Sequence, residues 1–384
     1  MKNIPRLLER KIIKSLKPQK AALIFGARRT GKTVLMKHII KQWKGKVLSL
    51  NGEDYDAQSL LENCSVANYR RLLNDTRLLA IDEAQNIPGI GSKIKLILDE
   101  IPSVCVLASG SSSFDLQNQT GEPLVGRSKT FKLAPFSQKE ISAMETVFET
   151  RQNLEERLIY GSYPEVVMMR NLHERAEYLR EMTQSYLLKD ILAIDGLKNT
   201  SKIRDLLRLI AFQTGQEVSL DELGRQLAMS KNTAEKYLDL LSKSFVLFRL
   251  GAYSKNLRKE IAKAGKWYFY DVGIRNALTG NFKPVALRND VGTLWENYLI
   301  CERLKDCWNS YSAKNFYFWR TYDGQEIDLI EESGESGELH AFEIKWKPQK
   351  SKLPTAFANA YEQKKFDEIN RENYLDLITS QASD

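Results

Sequence analysis

Eight consecutive residues near the start of the chain have the spacing of a phosphate-binding loop. They fit the pattern GxxxxGK[ST], follow an apolar run and precede a stretch with helical periodicity: Gly26, Ala27, Arg28, Arg29, Thr30, Gly31, Lys32 and Thr33. Glycines let backbone N–H groups surround phosphate at a helix N-terminus, where the dipole favours negative charge. We expect Lys32 to reach the β- and γ-phosphates of ATP and the Thr33 hydroxyl to hold Mg²⁺. A glycine turn with an exposed lysine is the alternative.

Two carboxylates follow the next strongly apolar run, Leu78 to Ile81. In a P-loop protein the first acid, Asp82, joins the Mg²⁺ shell, and the second, Glu83, polarises an attacking water. An apolar run followed by Asp-Glu is by itself commonly just the end of a strand. Placed about 50 residues after the loop, the pair favours ATP hydrolysis over mere nucleotide binding.

Two further polar residues are candidates for the same reaction. Ser109 follows the run Val104 to Ala108 and could sense the γ-phosphate from a neighbouring strand tip, although a plain Ser/Gly loop explains it equally well. Arg127, after Gly126, could stabilise transferred charge in its own chain or in a neighbouring subunit. A solvated surface arginine is the alternative for Arg127.

A third group of chemical residues lies near the C-terminus. Asp328 falls in one strand-like run, and Glu343 and Lys345 fall in the next. Residues two apart in a strand share a face, so Glu343 and Lys345 should project together and meet Asp328. This resembles the D…ExK arrangement of PD-(D/E)XK nucleases, in which carboxylates bind Mg²⁺ or Mn²⁺ and the lysine acts on water. Glu296, on a preceding helix, resembles the extra glutamate of that family beside the metal. A surface salt bridge or a binding-only fold is the alternative.

A helix-turn-helix pattern lies between these groups. Ser219 is a predicted N-cap, and Lys231 and Asn232 open a second short helix. A basic hairpin candidate follows, and together they indicate a winged helix that contacts DNA. The hairpin cations are Lys255, Arg258, Lys259, Lys263 and Lys266. Because Glu235 and Asp239 also lie on the second helix, a structural or protein-contact role stays open.

The elements that must position these residues are indicated by the apolar pattern. Short continuous apolar runs alternate with amphipathic stretches from 21 to 135, which is typical of a parallel sheet covered on both faces. We therefore predict four parts, each an expectation for the fold. They are a P-loop α/β ATPase core at 1–135, a helical lid or connector at 136–205, a winged helix at 206–284 and an α/β PD-(D/E)XK-like domain at 285–384.

Composition limits the class of protein. The chain has 384 residues, of which 42% are hydrophobic and 10% aromatic, so one small module or a disordered chain is excluded. No apolar stretch is long enough for a membrane helix. Three scattered histidines and four unclustered cysteines argue against zinc chemistry and for a reduced, cytoplasmic protein. The net charge of +8 suits a polyanionic partner such as DNA.

Several motifs carry a family resemblance over nearly the whole chain. The segments FGARRTGKT, LLAIDEAQ, ASGSSS, LVGR and KLAPFS resemble the prokaryotic AAA+ ATPases of the "ATP-binding protein" group. The segments GSYPEVV, WYFYDVGIRNAL and GTLWENYL resemble its C-terminal half, a domain of unknown function related to restriction endonucleases. The resemblance implies that Ser109 is the sensor residue and Arg127 the arginine finger, which would require a homo-oligomer if it acts between subunits.

Three functions remain at this point. The first is an ATP-hydrolysing AAA+ protein that binds DNA and carries a metal-dependent nuclease domain. The second is a regulatory ATPase whose winged helix and nuclease-like fold bind DNA or protein without cleavage. The third is an ATPase that remodels a protein partner.

Overall fold

The chain forms two compact units. The computed structural model describes residues 4–110, 124–186, 200–254, 265–361 and 364–379. The first unit is built principally of residues up to Pro135, and the second principally of residues from Phe136 onward. Among the described residues, no helix has both the length and the apolar character that a membrane crossing requires.

A five-stranded parallel sheet organises the first unit, and this confirms the predicted α/β class of the N-terminal region. Its spatial order is β2-β3-β4-β1-β5. The strands are β1 Ala21–Phe25, β2 Lys46–Asn51, β3 Thr76–Asp82, β4 Cys105–Gly110 and β5 Ser128–Lys132. Strands β1, β3 and β4 are almost wholly buried, which explains their continuous apolar runs.

Helices pack on this sheet and complete the core of the first unit. They are α1 Leu8–Ser15, α2 Lys32–Gln42, α3 Tyr55–Glu62, α4 Val66–Leu72 and α5 Ile90–Glu100. Helices α1 and α2 bury Leu8, Ile12, Leu35 and Ile39 in one cluster with apolar side chains of the strands. Burial of this apolar surface is the main driving force that holds the sheet in place beneath the P-loop.

The second unit begins with five helices of five to ten residues and continues with three more helices. The first five are α6 Gln138–Ser142, α7 Val147–Gln152, α8 Leu154–Tyr160, α9 Pro164–Met168 and α10 Leu172–Glu181. The next three are α11 Thr200–Phe212, α12 Leu220–Gln226 and α13 Lys231–Lys243. The predicted boundary between residues 205 and 206 therefore falls inside a helix.

A six-stranded mixed sheet dominates the rest of the second unit, in the order β11-β10-β9-β8-β6-β7. Its strands are β6 Leu247–Ala252, β7 Lys266–Phe269, β8 Lys314–Arg320, β9 Glu326–Ser333, β10 Leu339–Ile344 and β11 Lys364–Ile369. The accompanying helices are α14 Val272–Thr279, α15 Val291–Ser310, α16 Thr355–Ala360 and α17 Tyr374–Thr379.

The predicted wing hairpin belongs to this larger sheet. Strands β6 and β7 pair with each other in antiparallel fashion, and β6 also pairs with β8 at Gly251 and Ala252. The segments predicted as connector, winged helix and nuclease-like domain therefore share one compact unit. Their division into three domains stays a prediction, and the structure shows that strands from two of them form one sheet.

Candidate functional site

The predicted phosphate-binding residues form the turn between β1 and α2. Gly26 is required by close packing, because a Cβ added there would lie 2.1 Å from the carbonyl oxygen of Leu133. Gly31 has φ +94°, in the region that favours glycine, and it is the N-cap of α2. The first turn of α2, with its N–H groups, therefore begins directly at the loop, which is the arrangement that binds anions.

Side chains within the loop are held by its own backbone. Lys32 is buried, and its Nζ donates to the carbonyl oxygens of Gly26 at 3.0 Å and Ala27 at 3.1 Å. The Thr30 hydroxyl donates to the same Ala27 oxygen at 2.9 Å. Arg28 is half-buried and Arg29 is exposed. The ammonium of Lys32 is thus fixed inside the turn that a phosphate chain would occupy.

The two acids at the end of β3 lie beside the predicted sensor. Strand β4 runs between β1 and β3, so Ser109 is opposite Ile24 at the same edge of the sheet as the loop. Its Oγ donates to Asp82 Oδ1 and accepts the Glu83 N–H at 3.2 Å. The structure therefore brings Asp82, Glu83 and Ser109 together at the carboxyl end of the sheet.

Glu83 has an unusual backbone conformation that a glycine makes room for. Its φ of +48° is left-handed, which costs free energy for a residue with a side chain and is enriched at functional sites. A Cβ on Gly52 would lie 2.3 Å from the Glu83 carbonyl oxygen, so only glycine fits after β2. Gln85 donates to the Glu83 carboxylate at 2.6 Å. Sequence reasoning does not single out Gly52, because a single glycine after a strand is unremarkable.

Arg127 lies at the opposite end of the strands of the same sheet, where the parallel strands begin. Its carbonyl accepts the N–H of Ala21, the first residue of β1, whereas the P-loop follows the last residue of that strand. The length of β1, about 17 Å at 3.3 Å per residue, separates the two. Arg127 also pairs with Asp99 at 2.6 Å. The expected action of Arg127 on its own chain's P-loop is therefore wrong, and only action on a neighbouring subunit stays a prediction.

The C-terminal carboxylates and lysine also converge. The Nζ of Lys345 lies 2.5 Å from Glu343 Oε1 and 3.7 Å from Asp328 Oδ2. Asp328 Oδ2 further accepts the Ile344 N–H at 2.8 Å, which fixes β9 against the end of β10. Phe342 and Ile344 point into the core, as the alternation of a strand requires.

A second lysine, which the sequence does not single out for this group, completes the cluster. Lys266, the first residue of β7, is 3% exposed. Its Nζ lies 2.5 Å from Glu326 Oε1 and 3.5 Å from Glu296 Oε1. Tyr268 donates to the same Glu296 oxygen at 2.5 Å. The prediction that Lys266 is a DNA-facing wing residue is therefore wrong, because its charge is committed to buried carboxylates.

We refer to Lys266, Glu296, Glu326, Asp328, Glu343 and Lys345 as the acid–lysine cluster. Burial raises the pKa of Glu296 to about 7, although the nearby ammonium of Lys266 opposes the shift. Burial and the neighbouring Asp328 charge raise the pKa of Glu343 as well. Burial alone would lower the pKa of Lys266, but the charges of Glu296 and Glu326 outweigh it and raise that pKa. The same balance, with Asp328 and Glu343 as the partners, raises the pKa of Lys345.

The donor groups at both sites suit a hard divalent cation. At the P-loop, Thr33 and Asp82 offer the hydroxyl and carboxylate oxygens that Mg²⁺ prefers. In the acid–lysine cluster, Asp328 and Glu343 are two neighbouring carboxylates, and Mg²⁺ is often held by one or two carboxylates and several waters. No group of three or more His, Cys, Asp or Glu side chains within the described ranges is placed to hold a metal ion.

Three family models match consecutive parts of the chain. Residues 18–142 match a model described as an AAA domain. Residues 151–284 match a domain of unknown function, DUF8612, and residues 291–376 match another, DUF4143. The AAA match spans the P-loop, Asp82, Glu83 and Ser109. The chain therefore carries an AAA+ P-loop ATPase domain and a C-terminal DUF4143 domain.

Two uncharacterised proteins align with most of the chain at low identity. An uncharacterised protein of Mycobacterium tuberculosis is 27% identical over 329 residues, which is 84% of this chain and 69% of that protein. An uncharacterised protein of Methanocaldococcus jannaschii is 23% identical over 400 residues, covering 97% of this chain and 85% of that protein. Neither name assigns a function.

Two solved structures that align with part of the chain are distant likenesses. A RuvB mutant of Thermotoga maritima aligns with TM-score 0.31 and 16% identity over 60% of this chain and 82% of that chain. A Pif1 helicase from Bacteroides, in complex with ADP-AlF3 and single-stranded DNA, aligns with TM-score 0.26 and 15% identity over 48% and 51%. At these scores neither likeness carries an argument about function.

The helix-turn-helix candidate lies C-terminal to the AAA+ domain, inside the DUF8612 match. Leu223 of α12 and Leu238 and Leu241 of α13 are buried, and Ser219 caps α12 by accepting the Glu222 N–H at 3.3 Å. The exposed residues of α13 are Lys231, Asn232, Glu235, Lys236 and Asp239. Lys231 pairs with Asp221 at 3.2 Å. The predicted hairpin cations Lys255, Arg258, Lys259 and Lys263 lie outside the described residues.

Proposed function

We propose that this chain is a Mg²⁺-dependent ATPase that binds DNA and cleaves it at the acid–lysine cluster. The observation that carries the ATPase half is the position of Ser109, whose hydroxyl contacts both Asp82 and the Glu83 N–H at the P-loop edge of the sheet. The observation that carries the cleavage half is the position of the Lys345 ammonium between Asp328 and Glu343.

In the ATPase half each residue has a defined task. Backbone N–H groups of the loop and Lys32 bind the β- and γ-phosphates of ATP. Thr33 and Asp82 hold Mg²⁺, which neutralises charge on the transferred phosphoryl group when it is bound. Glu83 orients water and takes its proton, because its carboxylate follows directly after Asp82 on the same strand end.

In the cleavage half Asp328 and Glu343 hold a divalent cation through carboxylate oxygens. When bound, such an ion polarises the scissile phosphate and lowers the pKa of water. Lys345 holds positive charge beside the attacking water. Glu296 stays in the predicted set of acids, although its carboxylate is held by Lys266 and Tyr268.

DNA contact is proposed for the exposed face of α13. Lys231, Asn232 and Lys236 lie on this face, which is suited to phosphate contacts and to reading base edges. Glu235 and Asp239 lie on the same helix and would weaken such contact. The four hairpin cations outside the described residues remain part of the proposal.

One assay tests the cleavage half and uses matched variants. Full-length protein is incubated with DNA, Mg²⁺ or Mn²⁺ and ATP, alongside Lys345→Ala and Lys365→Ala. Lys365 is an exposed lysine of the same sheet that pairs with Glu338 at 2.9 Å, away from the acid–lysine cluster. We expect cleavage by the wild type and Lys365→Ala and none by Lys345→Ala. Equal cleavage by all three would mean that another centre is responsible.

A regulatory ATPase that binds DNA or protein without cleavage is the second candidate. It is favoured by Lys266, because this ammonium already neutralises two carboxylates of the cluster. Stimulation of ATP hydrolysis by DNA would separate both candidates from an ATPase that remodels a protein partner. A homo-oligomer, which the role of Arg127 would require, and a cytoplasmic location, predicted from four free cysteines, complete the proposal.

A further inference from the structure

The acid–lysine cluster contains its own cations. Four carboxylates, those of Glu296, Glu326, Asp328 and Glu343, face the ammonium groups of Lys266 and Lys345. The half-exposed Arg320 lies 3.7 Å from Glu326 and 3.3 Å from Glu217, so the positive charge of Arg320 is balanced by the negative charge of Glu217. The formal excess is two negative charges, which one divalent cation balances and two would overcompensate.

The two lysines occupy different parts of the cluster. Lys345 follows β10 and contacts the carboxylates proposed as metal ligands. Lys266 enters from β7, on the other side of β8 and β6 in the sheet order, and contacts Glu326 and Glu296. The negative charge of Asp328 also contributes to the raised pKa of Lys266, so the ammonium lies within electrostatic reach of this proposed ligand.

Lys266 is held firmly in this position. Its Nζ lies 5.2 Å from the centre of the Phe318 ring, and Tyr268 fixes the Glu296 carboxylate from the same strand. Gly215 closes the other side, because a Cβ there would lie 3.3 Å from Glu296 Oε1. Burial of an ammonium group costs hydration free energy, and its carboxylate partners offset this cost only when the geometry of the ion pairs is good.

We propose that Lys266 is a built-in cation that competes with a divalent metal for Glu296 and Glu326. It is a positioning residue that withdraws these two carboxylates from metal binding and leaves Asp328 and Glu343 for a single ion. The residue comes from the part of the chain matched by DUF8612, whereas the four acids come from the part matched by DUF4143. The inference extends the proposed metal site and rests on it for the role of Asp328 and Glu343.

The test is Mn²⁺ binding by calorimetry on full-length, nucleotide-free protein. All samples carry Asp82→Asn, which removes the proposed metal ligand of the P-loop. Lys266→Met is compared with Lys314→Met, which removes a lysine that lies 2.9 Å from the buried Glu331 in the same sheet. Arg303 also pairs with Glu331, so that carboxylate keeps a partner in the control.

We expect Lys266→Met to bind Mn²⁺ about tenfold more tightly, or to bind a second ion, because a repelling charge is gone and two carboxylates are freed. Lys314→Met should bind as the parent does. Thermal melting gives an independent readout: Lys266→Met should melt lower without metal, and Mn²⁺ should restore its midpoint more than it raises that of the parent. A merely structural lysine would show the destabilisation without the rescue.

The outcomes separate the two proposals. If the parent binds no Mn²⁺ and Lys266→Met does, the built-in cation is supported and metal-dependent cleavage by the wild type falls. If both bind with equal affinity and stoichiometry, the inference about Lys266 is overturned and the metal site stands. If neither binds, both are overturned. Should Lys266→Met fail to fold, Lys266→Met combined with Glu326→Gln removes the pair together and still frees Glu296, with the same expected gain.

Discussion

The two candidate sites contain the same types of residue, lysine, aspartate and glutamate, but their lysines have different partners. At the P-loop, Lys32 donates to carbonyl oxygens of its own loop, and Asp82 and Glu83 hydrogen-bond to Ser109 and Gln85. In the acid–lysine cluster, each lysine forms ion pairs with two carboxylates. The first site therefore presents positive charge to a phosphate, whereas the second has neutralised much of its charge internally.

This difference predicts different consequences when a lysine is removed. The hydrogen bonds from Lys32 to Gly26 and Ala27 go to neutral carbonyl oxygens that water can satisfy, so its removal should affect ligand binding more than folding. The removal of Lys266 leaves buried carboxylates without a counter-ion, which affects folding first. Substitutions at the two sites should therefore differ in kind, and the largest effect is expected at the P-loop.

Lys32→Ala should lower ATP hydrolysis by at least about 100-fold, because preorganised positive charge on the phosphates is removed. Its melting temperature should stay near that of the wild type. Steady-state phosphate release and thermal melting measure the two effects. Lys37→Ala, an exposed lysine on the same helix, is the control and should hydrolyse ATP normally. Near wild-type turnover by Lys32→Ala would remove the phosphate-site assignment.

Glu83→Gln should bind ATP as the wild type does and hydrolyse it about 100-fold more slowly, because an amide cannot take a proton from water. Equilibrium binding of ATP and single-turnover hydrolysis distinguish the two steps. Glu53→Gln, at an exposed loop position, serves as the control. If Glu83→Gln turns over normally, Glu83 is only a carboxylate at a strand end and the general base lies elsewhere.

The same contrast explains why sequence reasoning reaches the two sites unequally. The P-loop is one contiguous turn, so the glycines, Lys32 and Thr33 are joined by covalent structure and their spacing predicts their arrangement. The apolar runs Leu78 to Ile81 and Val104 to Ala108 predict strands β3 and β4 within two residues at each end, because these runs are continuous wherever both faces of a strand are buried. Ser109 can be placed because parallel strands end at the same edge.

The acid–lysine cluster depends on pairing between distant strands, which single-sequence patterns do not specify. Asp328, Glu343 and Lys345 can be predicted to meet because β9 and β10 are neighbours in sequence and in the sheet. The sequence instead places Lys266 in a DNA-contacting wing, and only the pairing of β6 with β8 shows that its strand belongs to the large sheet. Strands β5 and β11 escape prediction because their burial is partial and their apolar signal is therefore weak.

Asp328→Asn should remove divalent-dependent DNA cleavage and weaken Mn²⁺ binding about tenfold or more, while ATP hydrolysis is unchanged, because a hard cation loses a charged oxygen ligand. Glu343→Gln should behave in the same way. Calorimetry with Mn²⁺ applies even if cleavage awaits a signal. Asp367→Asn, a carboxylate of β11 that pairs with His340, is the control. Unaltered Mn²⁺ affinity in both variants would show that the metal does not bind at Asp328 and Glu343.

Lys231→Ala combined with Lys236→Ala should lower DNA affinity and reduce the slope of log affinity against log salt by about 0.9 for each DNA phosphate that is no longer neutralised. The opposite change on the same helix, Glu235→Gln with Asp239→Asn, should raise DNA affinity if this face meets DNA. Fluorescence anisotropy across a salt series measures both. An unchanged slope in both pairs of variants would exclude α13 as the interface and favour a structural winged helix.

Lys345→Ala should have the smallest effect on stability of the lysine changes in the cluster. Its side chain is 37% exposed, and exposed ion pairs contribute about 0 to 1 kcal/mol to the free energy of unfolding. Lys266 is 3% exposed, and breaking its buried pairs should cost more than this. Denaturant unfolding of the metal-free protein measures both variants. If Lys345→Ala lowers the free energy of unfolding by several kcal/mol, Lys345 is a structural counter-ion like Lys266. It would then be unavailable to act on water, and this would contradict the cleavage proposal. A small cost together with abolished cleavage would instead place Lys345 with Lys32, as a lysine retained for chemistry.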